Sequence, residues 1–136
     1  MVYDPRVSRT LIGHIASAIN GVSIARGTSF LIDMMDKKIF PEGINIIDNP
    51  HILRGPSSRP FDGEGVRNAP LDIVGDGILK NWVLDSTSAR QLGLSSNGRA
   101  SRGTSSPPSP STSNLYMEAG SVSVKELLSD IKGRGV

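Results

Sequence analysis

The sequence predicts an α+β fold: a β-rich domain of hairpins and mixed sheet, with a helix near 9–20 packed on it and a C-terminal helix near 124–131. Three stretches carry that expectation. "SRTLIGHIASAINGV" spaces Leu11, Ile12, Ile15, Ala18, Ile19 and Val22 as one apolar helical stripe. "PLDIVGDGILKNWVLD" sets two apolar runs on either side of Gly75-Asp76-Gly77, which reads as a hairpin. "SVSVKELL" offers Ser123 and Glu126 as an S-x-x-E capping box ahead of Leu127, Leu128 and Ile131.

Along the chain, Ser8 or Thr10 is the expected N-cap of the first helix and Gly21 its stop. His14 falls three residues after Leu11 and four before Ala18, on the apolar stripe. "ARGTSFLIDMMDKKIFPEG" predicts a short helix near 29–36, ended by Pro41-Glu42-Gly43. The β-branched run "INIID" (44–48) reads as a strand. Pro50, Pro56, Pro60 and the glycines at 55, 63 and 65 make 49–68 irregular. A loop of that length in a compact domain is usually functional or packed on a partner.

The hairpin strands are expected at Leu71–Val74 and Ile78–Leu84, with Trp82 as anchor. "STSARQLGL" supplies one or two helical turns, capped by Ser86 and stopped by Gly93. Segment 95–114, rich in Ser, Gly and Pro, has the composition of a flexible linker, and "LYME" (115–118) reads as a short strand. The first residues look like the tail of a strand and the last like a turn leading onward. Residues 1–136 are therefore expected to be a single-domain segment of a longer protein, truncated at both ends.

Composition excludes several classes. A chain of 136 residues suits one small domain. With 37% hydrophobic residues, 4% aromatics, 15 Gly and 9 Pro, its core should be thin. A net charge of +2 is too mild by itself to argue for nucleic acid. The absence of cysteine removes disulfides and every Cys-based zinc site. No apolar run nears the roughly 18 residues of a membrane span, and "MVYDPRVSRT" lacks a signal-peptide pattern. A cytoplasmic protein without membrane partners is the expectation.

His14 raises three readings: a polar residue within the core, a catalytic group, or part of a metal site. Zinc needs three or four ligands, yet the only other histidine, His51, lies in the Pro-flanked loop. No G-x-S-x-G elbow is present, and "GDGILK" lacks nucleotide-loop spacing. Asp62 and Glu64 in "FDGEGV" lack the remaining ligands of a calcium loop, so a tight turn is expected there. From Ser86 to Met117 no acidic residue occurs, while Arg90, Arg99 and Arg102 do. Such a segment could meet an extended peptide, a phosphate backbone or a partner subunit.

Four stretches, "DPRVSRTLIGHIASAINGVSIARGTSFL", "SRPFDGEGV", "GILKNWVLDSTSARQLGL" and "GRASRGTSSPPSPSTSNLYMEAG", resemble the TldD/PmbA family, specifically its PmbA (TldE) branch, in the family's own order. The resemblance implies a subunit of a two-subunit zinc metallopeptidase whose members are considerably longer. In the TldD subunit a helix carries H-E-x-x-x-H; zinc activates water and the Glu is the general base. Laid on that pattern, Gly13 stands at the first His, His14 at the Glu and Ala18 at the second His. The resemblance thus implies no catalytic residue and no metal in this chain, with zinc in a TldD-type partner.

It further implies small or unfolded peptides as substrates, such as peptide-antibiotic precursors and antitoxins. Arg26, Thr28, Arg99, Arg102, Ser111, Thr112, Ser113 and Asn114 are the expected peptide or subunit interface, within a heterodimer or a homodimer. The alternative for 111–114 is that they buttress the hairpin carrying Trp82. Two rivals stand beside this reading. One is a DNA gyrase-associated or nucleic-acid-binding regulator, supported by Arg99 and Arg102 but short of aromatics for base stacking. The other is an independent hydrolase working through His14.

Overall fold

The computed structural model describes residues 3–130, so Ile131 and the closing Gly-x-Gly lie outside the described residues. Helix α1 (Pro5–Ala18) begins earlier than its stripe suggested. Asp4 is the N-cap, not Ser8 or Thr10: its Oδ1 accepts from Arg6 N at 2.9 Å. Pro5 follows at the first helical position, where a missing N–H costs nothing. The Arg6 backbone N–H, then its guanidinium, holds the Asp4 carboxyl below the usual carboxylate range.

Gly21 does not end the chain's helical course. Asn20 turns it, its Oδ1 accepting from Val22 N at 3.0 Å, and starts α2 (Gly21–Ala25). Gly21 is needed there for close approach: a Cβ would lie 2.5 Å from Ser88 Oγ and 2.8 Å from Val83 O. On α1, Ile12 and Ile15 are half-buried while Ala18 and Ile19 are buried. His14 and Leu11, placed on the same stripe by spacing, are exposed. Only the C-terminal end of the helix packs deeply, so the buried arc is narrower than the apolar pattern.

No helix forms at 29–36. Those residues make turns, held by tertiary hydrogen bonds that outcompete a short helix. Ser29 Oγ donates to Ala18 O at 2.5 Å, and Asp36, at φ 58°, donates its N–H to Leu79 O. Ile39 and Phe40 N–H groups both reach Gly77 O, at 2.8 and 3.0 Å.

Four antiparallel strands form the main sheet in the order β3-β2-β1-β6: β1 (Ile46–Asp48), β2 (Leu71–Gly75), β3 (Ile78–Leu79) and β6 (Leu115–Met117). Asp76 and Gly77, at φ 51° and 77°, give the two-residue type I′ turn whose twist suits a hairpin. The second hairpin strand stops at Leu79 instead of Leu84, and Trp82 lies beyond it, half-buried against the core, its Nε1 buried and without a partner among the described residues. Ile19, Ile24, Leu31, Ile46, Ile73, Val74, Leu79 and Val83 form the core between sheet and helices.

Helix α3 (Ser86–Gln91) is capped by Asp85, not Ser86: Asp85 Oδ1 accepts from Ser88 N and Oγ at 2.7 and 2.6 Å. Gly93 ends it at φ 69°. The Ser/Gly/Pro-rich segment holds β4 (Ala100–Ser101) paired with β5 (Ser109–Pro110). Helix α4 (Val124–Asp130) carries the expected capping box, with Ser123 N and Oγ donating to Glu126 Oε2 at 2.8 and 2.7 Å. Among the described residues no helix is long and apolar enough to cross a membrane.

Candidate functional site

The densest polar chemistry in the molecule ties the 95–114 segment to the sheet. Arg99, in the middle of that serine-rich stretch, is fully buried together with Asp48 at the end of β1. Its Nε bonds Asp48 Oδ2; its Nη2 reaches Asp48 O at 3.0 Å and Ala69 O at 2.6 Å. Its Nη1 reaches Asn97 O and Gly98 O at 3.1 and 3.3 Å. All five guanidinium N–H groups thus find acceptors, as a buried cation requires. Asp48 also accepts from Ser113 N at 2.7 Å and Ser113 Oγ at 3.0 Å.

Asp62 is a second buried anchor. Its Oδ1 accepts from Glu64 N and Val66 N, and its Oδ2 from Ala100 N, each at 2.9 Å. Glu64 Oε2 accepts from Ser86 N and Oγ at 2.9 and 2.7 Å, satisfying the first turn of α3. "FDGEGV" is therefore a tight turn with both carboxylates occupied by protein donors.

Asn114 fastens the long loop: its Nδ2 donates to Asn49 O and Ser58 Oγ, and its Oδ1 accepts from Ser57 N. Ser113 and Asn114 thus brace β1 and the 49–58 loop, not the Trp82 hairpin. The Trp82 segment is held instead by Asn97, whose Nδ2 donates to Trp82 O at 2.7 Å and whose Oδ1 accepts from Leu84 N at 2.9 Å, and by the backbone bonds of Val83 with Ile19 and Gly21.

Arg99 cannot serve as an exposed peptide or phosphate contact, a correction that burial imposes. Arg102, Arg26 and Thr28 are exposed, and Thr28 Oγ1 donates back to Ser23 O. Ser111 and Thr112 lie across a groove from α1. With Ala16, Ser17, Asn20, Val83 and Pro110 they line a shallow groove of about 190 Å³, closed at its base by Asn20 Nδ2 donating to Pro110 O at 3.0 Å. The signal for Asn20 was a polar residue just before a glycine; its long-range partner had none.

The three degenerate positions on α1 do not fit a zinc ion. Gly13 and Ala18 have no donor atoms. They stand five residues apart, about 140° around a helix, and the structure puts Gly13 in the open and Ala18 in the core. His14 lies exposed between them. Among the described residues no three His, Cys, Asp or Glu side chains come together in a metal-holding group.

Comparison with known proteins gives consistent results. The family model described as the PmbA/TldA metallopeptidase C-terminal domain matches residues 1–136. The chain is 46% identical over 100 residues to Metalloprotease PmbA of Escherichia coli O157:H7, covering 74% of this chain and 22% of that protein. A Metalloprotease of Methanothermobacter thermautotrophicus is 35% identical over 136 aligned residues, covering 97% of this chain and 29% of its own. Among solved structures, TldE from Thermococcus kodakarensis superposes with a TM-score of 0.72 at 25% identity, over 83% of this chain and 26% of that one. The chain spans between a fifth and a third of the length of these relatives.

Proposed function

The chain belongs to the PmbA/TldA metallopeptidase family, matching its C-terminal domain, and from that premise we propose that it is part of a non-catalytic subunit. The subunit closes the peptide chamber of a TldD-type partner that carries the zinc, in the cytoplasm. The observation that carries this is the helix α1 set of Gly13, His14 and Ala18, which keeps a helix in the place where the resemblance expects metal ligands but offers no ligand pair.

The residues of this chain then bind and confine. The groove between Ala16, Ser17 and Asn20 on one side and Ser111 and Thr112 on the other lies beside the C-terminal end of α1. Its polar rim suits an extended backbone, which needs hydrogen-bonding groups more than side-chain pockets. The buried Asp48–Arg99–Ser113 network holds residues 110–114 at a set distance from α1. Substrates are small or unfolded peptides, because only such chains thread a narrow chamber; peptide-antibiotic precursors and antitoxins fit that description.

The test is co-purification of the full-length protein with a TldD-type partner, with zinc counted per pair. One zinc per heterodimer is the expected result; two, or no complex, overturns the reading.

A second reading comes from a solved structure of Bacteroides thetaiotaomicron, TM-score 0.75 at 27% identity, which carries the provisional label of a DNA gyrase modulator. For direct nucleic-acid contact this chain has Arg102 in the open, but Arg99 is spent inside the fold.

A further inference from the structure

A second arginine is buried in a different way. Loop 50–59 closes on itself through Arg59 N donating to Pro50 O at 2.9 Å, and Asn114 pins its far side. Within it the Nε and Nη2 of Arg59 are buried and, among the described residues, have no hydrogen-bond partner. These two N–H groups point the same way along one edge of the guanidinium, the fork that takes a planar carboxylate bidentately. Leaving such donors unmatched in a protein interior is costly.

The surroundings suit a negative group. No Asp or Glu occurs between Asn49 and Phe61, while His51, Arg54 and Arg59 all line one depression of about 330 Å³. The depression is shallow and open to solvent. Neither Arg54 nor Arg59 makes an ion pair among the described residues. Arg54 holds φ at 59°, a conformation that a side-chain-bearing residue adopts at a cost. His51 Nε2 lies 2.9 Å from Oδ1 of the buried Asn68, whose own Nδ2 has no partner among the described residues.

The lining favours a carboxylate on an apolar group over a bare phosphate. Apart from Ser58, whose hydroxyl donates to Ile52 O, the rest of the depression is apolar, formed by Pro50, Ile52, Leu53 and Pro60, so a bare inorganic anion would leave it empty.

We propose that the 50–60 loop is a binding site for a carboxylate carried on an apolar group, such as the C-terminal residue of a peptide, with the Nε/Nη2 edge of Arg59 as its receptor. The carboxylate enters by a shift of the Arg59 side chain that turns its covered edge toward the depression. The hydrocarbon lies against Ile52 and Pro60, and Arg54 adds charge at the rim. The site is independent of the chamber beside α1 and needs no zinc.

The experiment is calorimetric titration of the full-length protein, without a partner subunit, using acetyl-Ala-Ala-Leu as the free acid, the same peptide as its C-terminal amide, and inorganic phosphate. The free acid should bind at least tenfold more tightly than the amide, and phosphate should not displace it. Arg59→Lys keeps the charge but loses the fork, and should weaken the acid at least tenfold while melting like the parent. Equal binding of acid and amide, displacement by phosphate, no binding of the acid, or full binding by Arg59→Lys would each overturn the proposal. Should the variant fail to fold, the acid–amide comparison on the unaltered protein decides. A failure here leaves the zinc count per heterodimer untouched.

Discussion

Arg99 and Arg59 stand in neighbouring loops, and both hide guanidinium nitrogens from solvent. Arg99 has an acceptor for every N–H and a carboxylate at its centre. Arg59 has two buried N–H groups with none among the described residues. The first cation is a fastener: it locks β1, the turn at 97–98 and residue 69 into one unit. The second does no comparable internal work. A charge that the fold satisfies belongs to stability, and one that the fold leaves wanting is where we place a ligand.

The contrast can be broken most sharply at Asp48. Asp48→Ala removes the counter-charge and leaves Arg99 buried alone, so unfolding free energy should fall by about 3–5 kcal/mol. Chemical denaturation of the full-length protein measures this; a loss below about 1 kcal/mol would mean that Arg99 is not the fastener described.

Arg59→Leu should behave in the opposite manner. Since no acceptor among the described residues loses its donor, stability should stay within about 1 kcal/mol of the parent. A loss as large as that of Asp48→Ala would erase the difference between the two arginines.

The smallest effect belongs to a fully exposed pair. Ser123, through its hydroxyl and backbone N–H, holds the Glu126 carboxyl below the usual carboxylate range. A depressed carboxylate pKa stabilises the capped state above the unfolded value, and that contribution fades as pH falls through the folded one. Amide exchange in the first turn of α4 should therefore be steady from neutral pH down to the ordinary glutamate range and lose protection below it, after correction for the intrinsic rate. Glu126→Gln should remove most of that pH dependence.

Much of the fold was legible where its causes are local. The hairpin followed from Gly75-Asp76-Gly77, because a type I′ turn needs left-handed residues that Asp and Gly tolerate. The capping box of α4 followed from Ser123 and Glu126 at the required spacing. The first helix was visible in its periodicity, but its start was not: Asp4-Pro5 outranked Ser8 and Thr10, a local signal present and passed over. The helix expected at 29–36 failed for a non-local reason, since Ser29, Asp36, Ile39 and Phe40 bond to groups far along the chain.

The candidate site was half legible. The four family-like stretches and the donorless Gly13 and Ala18 stand in the sequence for anyone to read. That Ser111 and Thr112 face α1 across a groove, while Ser113 and Asn114 turn inward, was not readable from "SPSTSN".

What the sequence alone determined is chemical inventory and short-range geometry: the family pattern, the turn and cap residues, and the missing ligand atoms on α1. Tertiary structure alone decided the fate of the charges. Arg99 looked like part of a basic surface until the sheet carried Asp48, 51 positions away, to its guanidinium. Arg59, of the same residue type and only 40 positions from Arg99, has no such partner among the described residues. Electrostatic matching in a low-dielectric interior depends on distances of a few ångströms, and those are set by how strands and loops meet in space.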